Sequence, residues 1–190
     1  FILSVMLVFI GGCNKLENES TSATKILLTA LTGNDLSGNS GATTVFSDVV
    51  CTSGTIINDL GTASIQAVLL NPTATSASYY QDVVIDQIDV SYTRTENGRN
   101  VEGVDVPFGF SQKVNFMVGV GSSIDLPFML VQHNAKMESP LVELTTWTNQ
   151  EKILKLEAKV TIHARDVAGN RLESVVGYIS VWCANYGDDC

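Results

Sequence analysis

The chain has 190 residues, of which 45% are hydrophobic, and it carries a formal net charge of −9. This hydrophobic content is enough for a packed core, so composition excludes a globally disordered chain, and the length suits one ordinary domain or two small ones. Asp and Glu outnumber Lys and Arg by 20 to 11, and no basic run occurs, which argues against binding to a nucleic-acid backbone.

The chain begins with FILSVMLVFIGGC, an apolar run that ends in two glycines and a cysteine. A membrane-spanning helix needs about 20 apolar residues, but polar residues begin here at Asn14, directly after Cys13. The length of the apolar run and the two small residues that end it fit a secretory signal peptide and its cleavage site. The basic segment with which a signal peptide begins is missing, so we expect the chain to be truncated at its start.

The stretch Ile10-Gly11-Gly12-Cys13 resembles the lipobox of bacterial lipoproteins. This resemblance implies that residues 1–12 are a signal peptide, that Cys13 is lipidated, and that the protein is anchored to a membrane by several acyl chains. Asn rather than Asp at position 14 implies the outer membrane. The alternatives are a buried strand or a secreted protein that is cleaved elsewhere.

Residues 13–41 contain the polar stretches NKLENESTSAT and GNDLSGNSG, which predict a flexible spacer. A first edge strand over 25–32 is one interpretation within it. The folded domain is expected to span residues 42–190.

From residue 43 onward the chain consists of short β-type runs between turn residues. The clearest alternate strictly between apolar and polar residues, as half-buried strands do. Strands are predicted over 43–51, 62–70, 82–95, 101–106, 113–120, 123–132, 153–167 and 171–183, with a weaker candidate over 141–147. Residues 132–139 predict a single helical turn. The pattern indicates an all-β fold, a single antiparallel β-sandwich.

The closing hairpin, VTIHARDVAGNRLESVVGYISV, resembles the last strand pair of bacterial immunoglobulin-like and fibronectin-like modules. The match lies in Asp166, Ala168, Gly169 and Asn170, where Gly and Asn tolerate left-handed backbone and the Asp side chain caps the turn. The resemblance implies an immunoglobulin-like sandwich, although Trp182 directly precedes Cys183 instead of lying between two cysteines. Fold does not carry function.

Three cysteines besides Cys13 are available for disulfides in an exported domain. Cys51 could pair with Cys183 across two strand ends, or Cys183 could pair with Cys190 in a short loop; no bridge at all is the third alternative. No CxxC or Cys/His cluster predicts a zinc site.

Few residues suggest chemistry. His163 is expected on a solvated strand face and His133 in a polar turn, and Asp82, Asp86 and Asp89 are not expected to converge on one face. No residue is assigned a catalytic or metal-binding role. Calcium binding, with Asp166 and Asn170 meeting Asp188 and Asp189, is a minor alternative to the absence of any cofactor. Trp147 is the candidate ligand contact, because an exposed Trp can stack on a sugar or anchor a partner. Core packing is nevertheless its default interpretation, and Trp182, in the final strand, is also expected in the core.

The favoured hypothesis is therefore a non-catalytic, lipid-anchored envelope protein that binds an unknown envelope protein or serves as a structural module. A carbohydrate-binding module that uses Trp147 to bind a glycan is the alternative. A secretion-assembly lipoprotein and a hydrolase are further ones.

Overall fold

The computed structural model describes residues 22–34, 40–71, 73, 77–96, 99–147 and 151–187. These residues form nine strands and one short helix: β1 (Thr24–Asn34), β2 (Ser40–Ala42), β3 (Thr44–Asp48), β4 (Asp59–Leu69), β5 (Val83–Arg94), β6 (Phe110–Val118), β7 (Ser123–Val131), α1 (His133–Lys136), β8 (Leu154–Asp166) and β9 (Val175–Ala184). Two 3₁₀ turns span Tyr79–Gln81 and Val142–Thr146. The predicted all-β fold is confirmed.

The strands form two sheets that pack face to face. The four-stranded sheet has the order β2-β1-β4-β7 and the five-stranded sheet the order β3-β9-β8-β5-β6. All neighbouring strands are antiparallel except β3 and β9, which run parallel, so the expected purely antiparallel sandwich needs that one correction.

Alternation along β8 explains how the sequence builds this sandwich. Every second side chain from Leu154 to Asp166 is buried, while the residues between them are half-buried or exposed. The inward rows of both sheets form the core, whose fully buried members include Val45, Ala63, Ile65, Ile85, Ile88, Leu126, Leu130, Leu156, Val160, Ile162 and Val181. A buried hydrogen bond also ties the sheets together, because the Tyr92 hydroxyl of β5 donates to the Leu130 carbonyl of β7 at 2.6 Å.

A β-bulge in β5 changes the faces expected for its acidic residues. The register of β5 against both neighbours shifts between Ile85 and Gln87, so both Ile85 and Ile88 point into the core. A bulge adds one residue to one strand and reverses the inward–outward parity beyond it. Asp86 accordingly lies near Arg165 on the outer face, on which Asp89 also lies.

Two predicted strands are not present. Residues 101–106 form a turn with one isolated bridge between Glu102 and Val106, and β5 pairs instead with β6. Residues 141–147 contain a 3₁₀ turn rather than a strand, since backbone hydrogen bonds close locally, as from Leu144 to Leu141. The single helical turn expected over 132–139 is confirmed as α1.

Residues 24–34, assigned from sequence to the spacer with an edge strand over 25–32 as one interpretation, form β1 of the sandwich. β1 pairs along its length with β4, and on its other side β2 pairs only with Gly33 and Asn34. The expected signal peptide, residues 1–12, lies outside the described residues, as do Asn97 and Gly98, for which the sequence predicts a tight hairpin turn.

The sandwich has two ends with different surroundings. We call the end where β1 begins the tether end. It also contains the end of β8 and the 3₁₀ turn Tyr79–Gln81, and the Thr24 hydroxyl of β1 donates to the Gln81 carbonyl of that turn at 2.9 Å. The opposite or distal end holds the ends of β3 and β9, the start of β8 and α1.

Candidate functional site

Three aromatic rings form a cluster on the outer face of the five-stranded sheet at the distal end. Phe46 makes edge-to-face contacts with Trp182, at a centroid distance of 5.6 Å, and with Tyr186, at 5.8 Å. Such pairs add about 0.5–1.5 kcal/mol beyond the area that they bury. Phe46 remains 38% exposed, so the cluster presents apolar surface to solvent. We call Phe46, Trp182, Tyr186 and the adjacent Lys155 the distal aromatic cluster.

The parallel pairing of β3 with β9 creates this cluster. Phe46 stands opposite Trp182 in the register, and the flanking Val45 and Val181 are fully buried. Because side chains alternate along a strand, Phe46 and Trp182 must both point outward. The prediction that Trp182 belongs to the core is therefore wrong.

Lys155 adds a positive charge to the cluster. Its Nζ lies 5.0 Å from the centre of the Trp182 ring and 3.3 Å from Glu96 Oε1. A cation at this distance is attracted by the negative face of the indole. The cluster therefore offers aromatic edges and a cation together.

Trp147, the candidate ligand contact, is also at the distal end. It follows the 3₁₀ turn Val142–Thr146 and is 45% exposed, with Lys152 Nζ 6.0 Å from its ring centre. The Asn185 side-chain amide donates to the Thr145 carbonyl at 3.1 Å, which holds this turn against the end of β9. The structure places Trp147 on the surface rather than in the core.

A fully buried lysine supports the cluster from beneath. Lys136 Nζ lies 2.9 Å from Asp59 Oδ1 and donates to the Asp48 carbonyl at 2.8 Å, and neither its side chain nor that of Asp59 is more than 3% exposed. The Asp48 carboxylate in turn accepts from the Tyr186 backbone N–H at 3.1 Å. One network thus joins α1, β4, the end of β3 and the residue that carries a cluster ring.

The cysteines contradict all three alternatives drawn from the sequence, which are the two pairings of Cys183 and the absence of any bridge. Cys183 is a free, buried thiol, and Cys51 is disulfide-bonded. Neither Cys51–Cys183 nor Cys183–Cys190 is therefore present, while Cys13 and Cys190 lie outside the described residues. Burial raises the pKa of Cys183 to about 12, which keeps the thiol protonated and unreactive.

His163 lies on the outer sheet face, as expected, but it has two partners. Its Nε2 is 2.7 Å from Asp89 Oδ2 and its Nδ1 is 2.8 Å from Ser174 Oγ. Burial raises the pKa of Asp89, but hydrogen bonds from Ser111, Gln87 and His163 outweigh it and hold that pKa below its usual value. In the serine hydrolase triad the acid holds Nδ1 and the serine faces Nε2; here the two nitrogens have the opposite roles.

The Asp166 turn has the geometry expected from its sequence. Asp166 Oδ1 accepts from the Asn170 backbone N–H at 2.8 Å, Oδ2 accepts from the Asn170 side chain at 2.9 Å, and Gly169 has φ of +95°. Both carboxylate oxygens thus serve the turn. Within the described part of the chain no group of three or more His, Cys, Asp or Glu side chains is arranged to hold a metal ion, and Asp188 and Asp189 lie outside it.

Sequence reasoning missed the two central features of this site. The burial of Lys136 follows from a helical turn that no periodicity could orient, and Phe46 was overlooked because a parallel partner 136 positions away leaves no local signal. The strict alternation of β9, which puts Val181 and Cys183 inward, could have placed Trp182 outward.

Comparison of the sequence with family models and with curated proteins identifies no relative of this chain. No protein-family model matches the chain, and no curated protein matches it. No helix formed by the residues that the structure describes is long and apolar enough to span a membrane.

Proposed function

We propose that this protein is a lipid-anchored, non-catalytic protein of the bacterial envelope that binds a protein partner through the distal aromatic cluster. The lipobox resemblance supports an anchor at Cys13, and Asn14 supports the outer membrane. The Asp166–Asn170 hairpin supports an immunoglobulin-like type of sandwich.

The observation that carries this proposal is the surface cluster of Phe46, Trp182, Tyr186 and Lys155, in which Phe46 is exposed and the other two rings are half-buried. Aromatic residues dominate the energetics of protein interfaces, since they bury a large area and lose little conformational entropy. The buried network of Lys136, Asp48 and Asp59 fixes the strand ends beneath the rings, so the surface is preorganised.

The position of the cluster agrees with an anchor at the other end. Strands of 10 to 13 residues connect the two ends, and at about 3.3 Å per residue they separate the ends by roughly 35–40 Å. A partner at the distal end would meet the protein on the side away from its membrane.

Photo-crosslinking in intact cells tests the proposal. Phe46 is replaced by benzoylphenylalanine, and Met117 on the outer face of β6, which is 50% exposed, provides the matched control. We expect a discrete crosslinked protein at position 46 that is absent at position 117. Once this protein is purified, Trp182→Ala should weaken its affinity about 30-fold, the effect of losing roughly 2 kcal/mol at a hot spot. Identical crosslinks at both positions would refute the proposal.

Glycan binding is a second candidate because Trp147 is 45% exposed beside Lys152. A polysaccharide pull-down that compares the wild type with Trp147→Ala separates the two functions. Retention that depends on Trp147 but not on Phe46 would favour the glycan.

A hydrolase is favoured only by the chain of contacts from Asp89 through His163 to Ser174. A fluorophosphonate probe tests it directly, because the probe phosphonylates an activated serine. If Ser174 were such a serine, the wild type would be labelled and Ser174→Ala would not. We expect no labelling, because the acid and the hydroxyl hold the wrong ring nitrogens.

A further inference from the structure

The tether end exposes two tyrosine rings that have no role in the sandwich. Tyr79 is 62% and Tyr80 67% exposed, with their ring centroids 6.1 Å apart in an edge contact, and Leu70 at the same end of the sandwich is 54% exposed. Large apolar side chains grouped at one end indicate a surface that meets something else.

The backbone beneath these rings is held firmly. Ser78 and Gln81 form a reciprocal capping box around the turn, and the Ala168 N–H donates to the Tyr80 carbonyl at 3.2 Å. The Leu70 N–H donates to the Ala23 carbonyl at 2.9 Å, which joins the end of β4 to the residues that precede β1. The tyrosines therefore project from a fixed position directly beside the entering chain.

Charged side chains also lie at this end of the sandwich. Exposed Lys25, Arg171 and Glu173 border a surface cavity of about 200 Å³ that Leu70 also lines. Of the other carboxylates at this end, Asp82 accepts from the Val120 N–H and Asp166 is buried in its turn. A mixture of cations, one exposed carboxylate and tyrosines matches a zwitterionic headgroup layer, in which phosphate and ammonium groups alternate above the acyl chains.

Chain length restricts what can meet this end. Eight residues lie between Cys13 and Ser22, and the nine steps of a fully extended chain, at about 3.6 Å each, span at most roughly 32 Å. An acylated Cys13 therefore holds the start of β1 within about 32 Å of the bilayer, and a weak contact of the nearby Tyr79 and Tyr80 with the membrane is favoured because it is intramolecular.

We infer that the tether end is a bilayer-docking surface, with Tyr79, Tyr80 and Leu70 inserted at the headgroup level and Lys25 and Arg171 on lipid phosphates. This inference rests on the proposed lipid anchor. Tyrosine suits the position because its ring enters the apolar boundary while its hydroxyl stays hydrated. Docking orients the sandwich, so the distal aromatic cluster points away from the membrane.

The test uses the full chain, acylated and reconstituted in phosphatidylethanolamine/phosphatidylglycerol vesicles that carry brominated acyl chains. Bromine quenches the fluorescence of tryptophan rings at the membrane boundary. Tyr80→Trp provides the probe, and Tyr178→Trp on the outer face of β9, which is 59% exposed, provides the matched control. Mass spectrometry verifies that Cys13 carries its acyl chains. The emission of the native tryptophans, measured on the wild type, is subtracted from that of each variant.

We expect brominated lipid to remove most of the emission that Tyr80→Trp adds and none of that added by Tyr178→Trp. Equal quenching of both probes, or of neither, in protein that is demonstrably acylated overturns the docking surface and leaves the anchor intact. If mass spectrometry instead finds an unmodified thiol at Cys13, the proposed lipid anchor is refuted, and the docking surface that rests on it is refuted as well. Tyr80→Phe, also acylated, should retain membrane protection of residues 77–82 in hydrogen exchange, whereas Tyr80→Ser should lose it.

Discussion

Replacing Lys136 by Met should destabilise the protein far more than the loss of one surface charge. The side chain of Lys136 is fully buried, and its ammonium group contacts both Asp59 Oδ1, at 2.9 Å, and the Asp48 carbonyl, at 2.8 Å. Met has nearly the same length and fills the same space, so the substitution removes the charge and its hydrogen bonds without creating a large cavity.

The expected cost follows from the carboxylate that remains. Removing one partner of a buried ion pair leaves an uncompensated charge and typically costs about 3–5 kcal/mol. For a domain of this size each kcal/mol lowers the melting temperature by about 2–4 °C, so Lys136→Met should lower it by roughly 6–20 °C. Since domains are stable by about 5–15 kcal/mol, most of this range leaves the variant folded.

The double variant Lys136→Met/Asp59→Leu isolates the interaction. With both charges gone no buried ion lacks a partner, and we expect stability within about 1–2 kcal/mol of the wild type. Removing Asp59 alone likewise strands the Lys136 charge at a cost of about 3–5 kcal/mol, so the double-mutant cycle should give a coupling energy of at least about 4 kcal/mol between the two residues.

Urea unfolding followed by far-UV circular dichroism measures all three free energies. Lys159→Met, on an exposed position of β8, is the matched control and should stay within about 0.5 kcal/mol of the wild type. If Lys136→Met costs no more than Lys159→Met, the buried ion pair does not support the distal end and the reasoning fails.

Three further outcomes follow from the turn and the cysteines. Burial raises the pKa of Asp166, but hydrogen bonds from Asn170 and other groups outweigh this effect and hold that pKa below its usual value. The stability that results is fully present above the unfolded pKa of about 3.9, and it is lost as the pH falls through the lower folded pKa. Asp166→Asn should therefore cost about 1–3 kcal/mol at pH 7, and thermal melts should show this difference shrinking below about pH 4; a constant difference across that range would contradict it. The buried Cys183 thiol should resist a disulfide reagent in the native protein and react once the chain is unfolded in urea, and fast native labelling would exclude its burial. Cys51 is disulfide-bonded and Cys183 is free, so lipidation of Cys13 leaves Cys190 as the partner, and non-reducing peptide mapping should find Cys51 joined to Cys190. A Cys13 partner would instead rule out lipidation of that residue.

Local patterns predicted the sandwich where each strand carries its own signal. The alternation in β8 and the turn from Asp166 to Asn170 depend on neighbours in sequence, so both were foreseen with nearly correct bounds. Two predicted strands failed because hydrophobic residues alone do not choose between a strand and a local turn. In residues 141–147 backbone hydrogen bonds close within three residues.

The candidate site was only partly accessible from sequence. Small polar neighbours make Trp147 a candidate ligand contact, but its large apolar ring favoured core packing, and the structure corrects that by leaving it 45% exposed. Phe46 and Trp182 come together through pairing between distant segments, and the burial of Lys136 depends on Asp59, 77 positions away. Such contacts are set by topology, which a single sequence does not specify.

The parallel pair of β3 and β9 also has a kinetic consequence. β3 finds its ladder partner only in the last strand of the fold, so its hydrogen bonds need a loop of more than 130 residues to close. Contacts of such long range slow folding, since the entropy of closure is lost before the strands gain anything in return. Thr44–Asp48 therefore stays without its ladder partner until residues 180–184 are in place, and the aromatic surface is completed last.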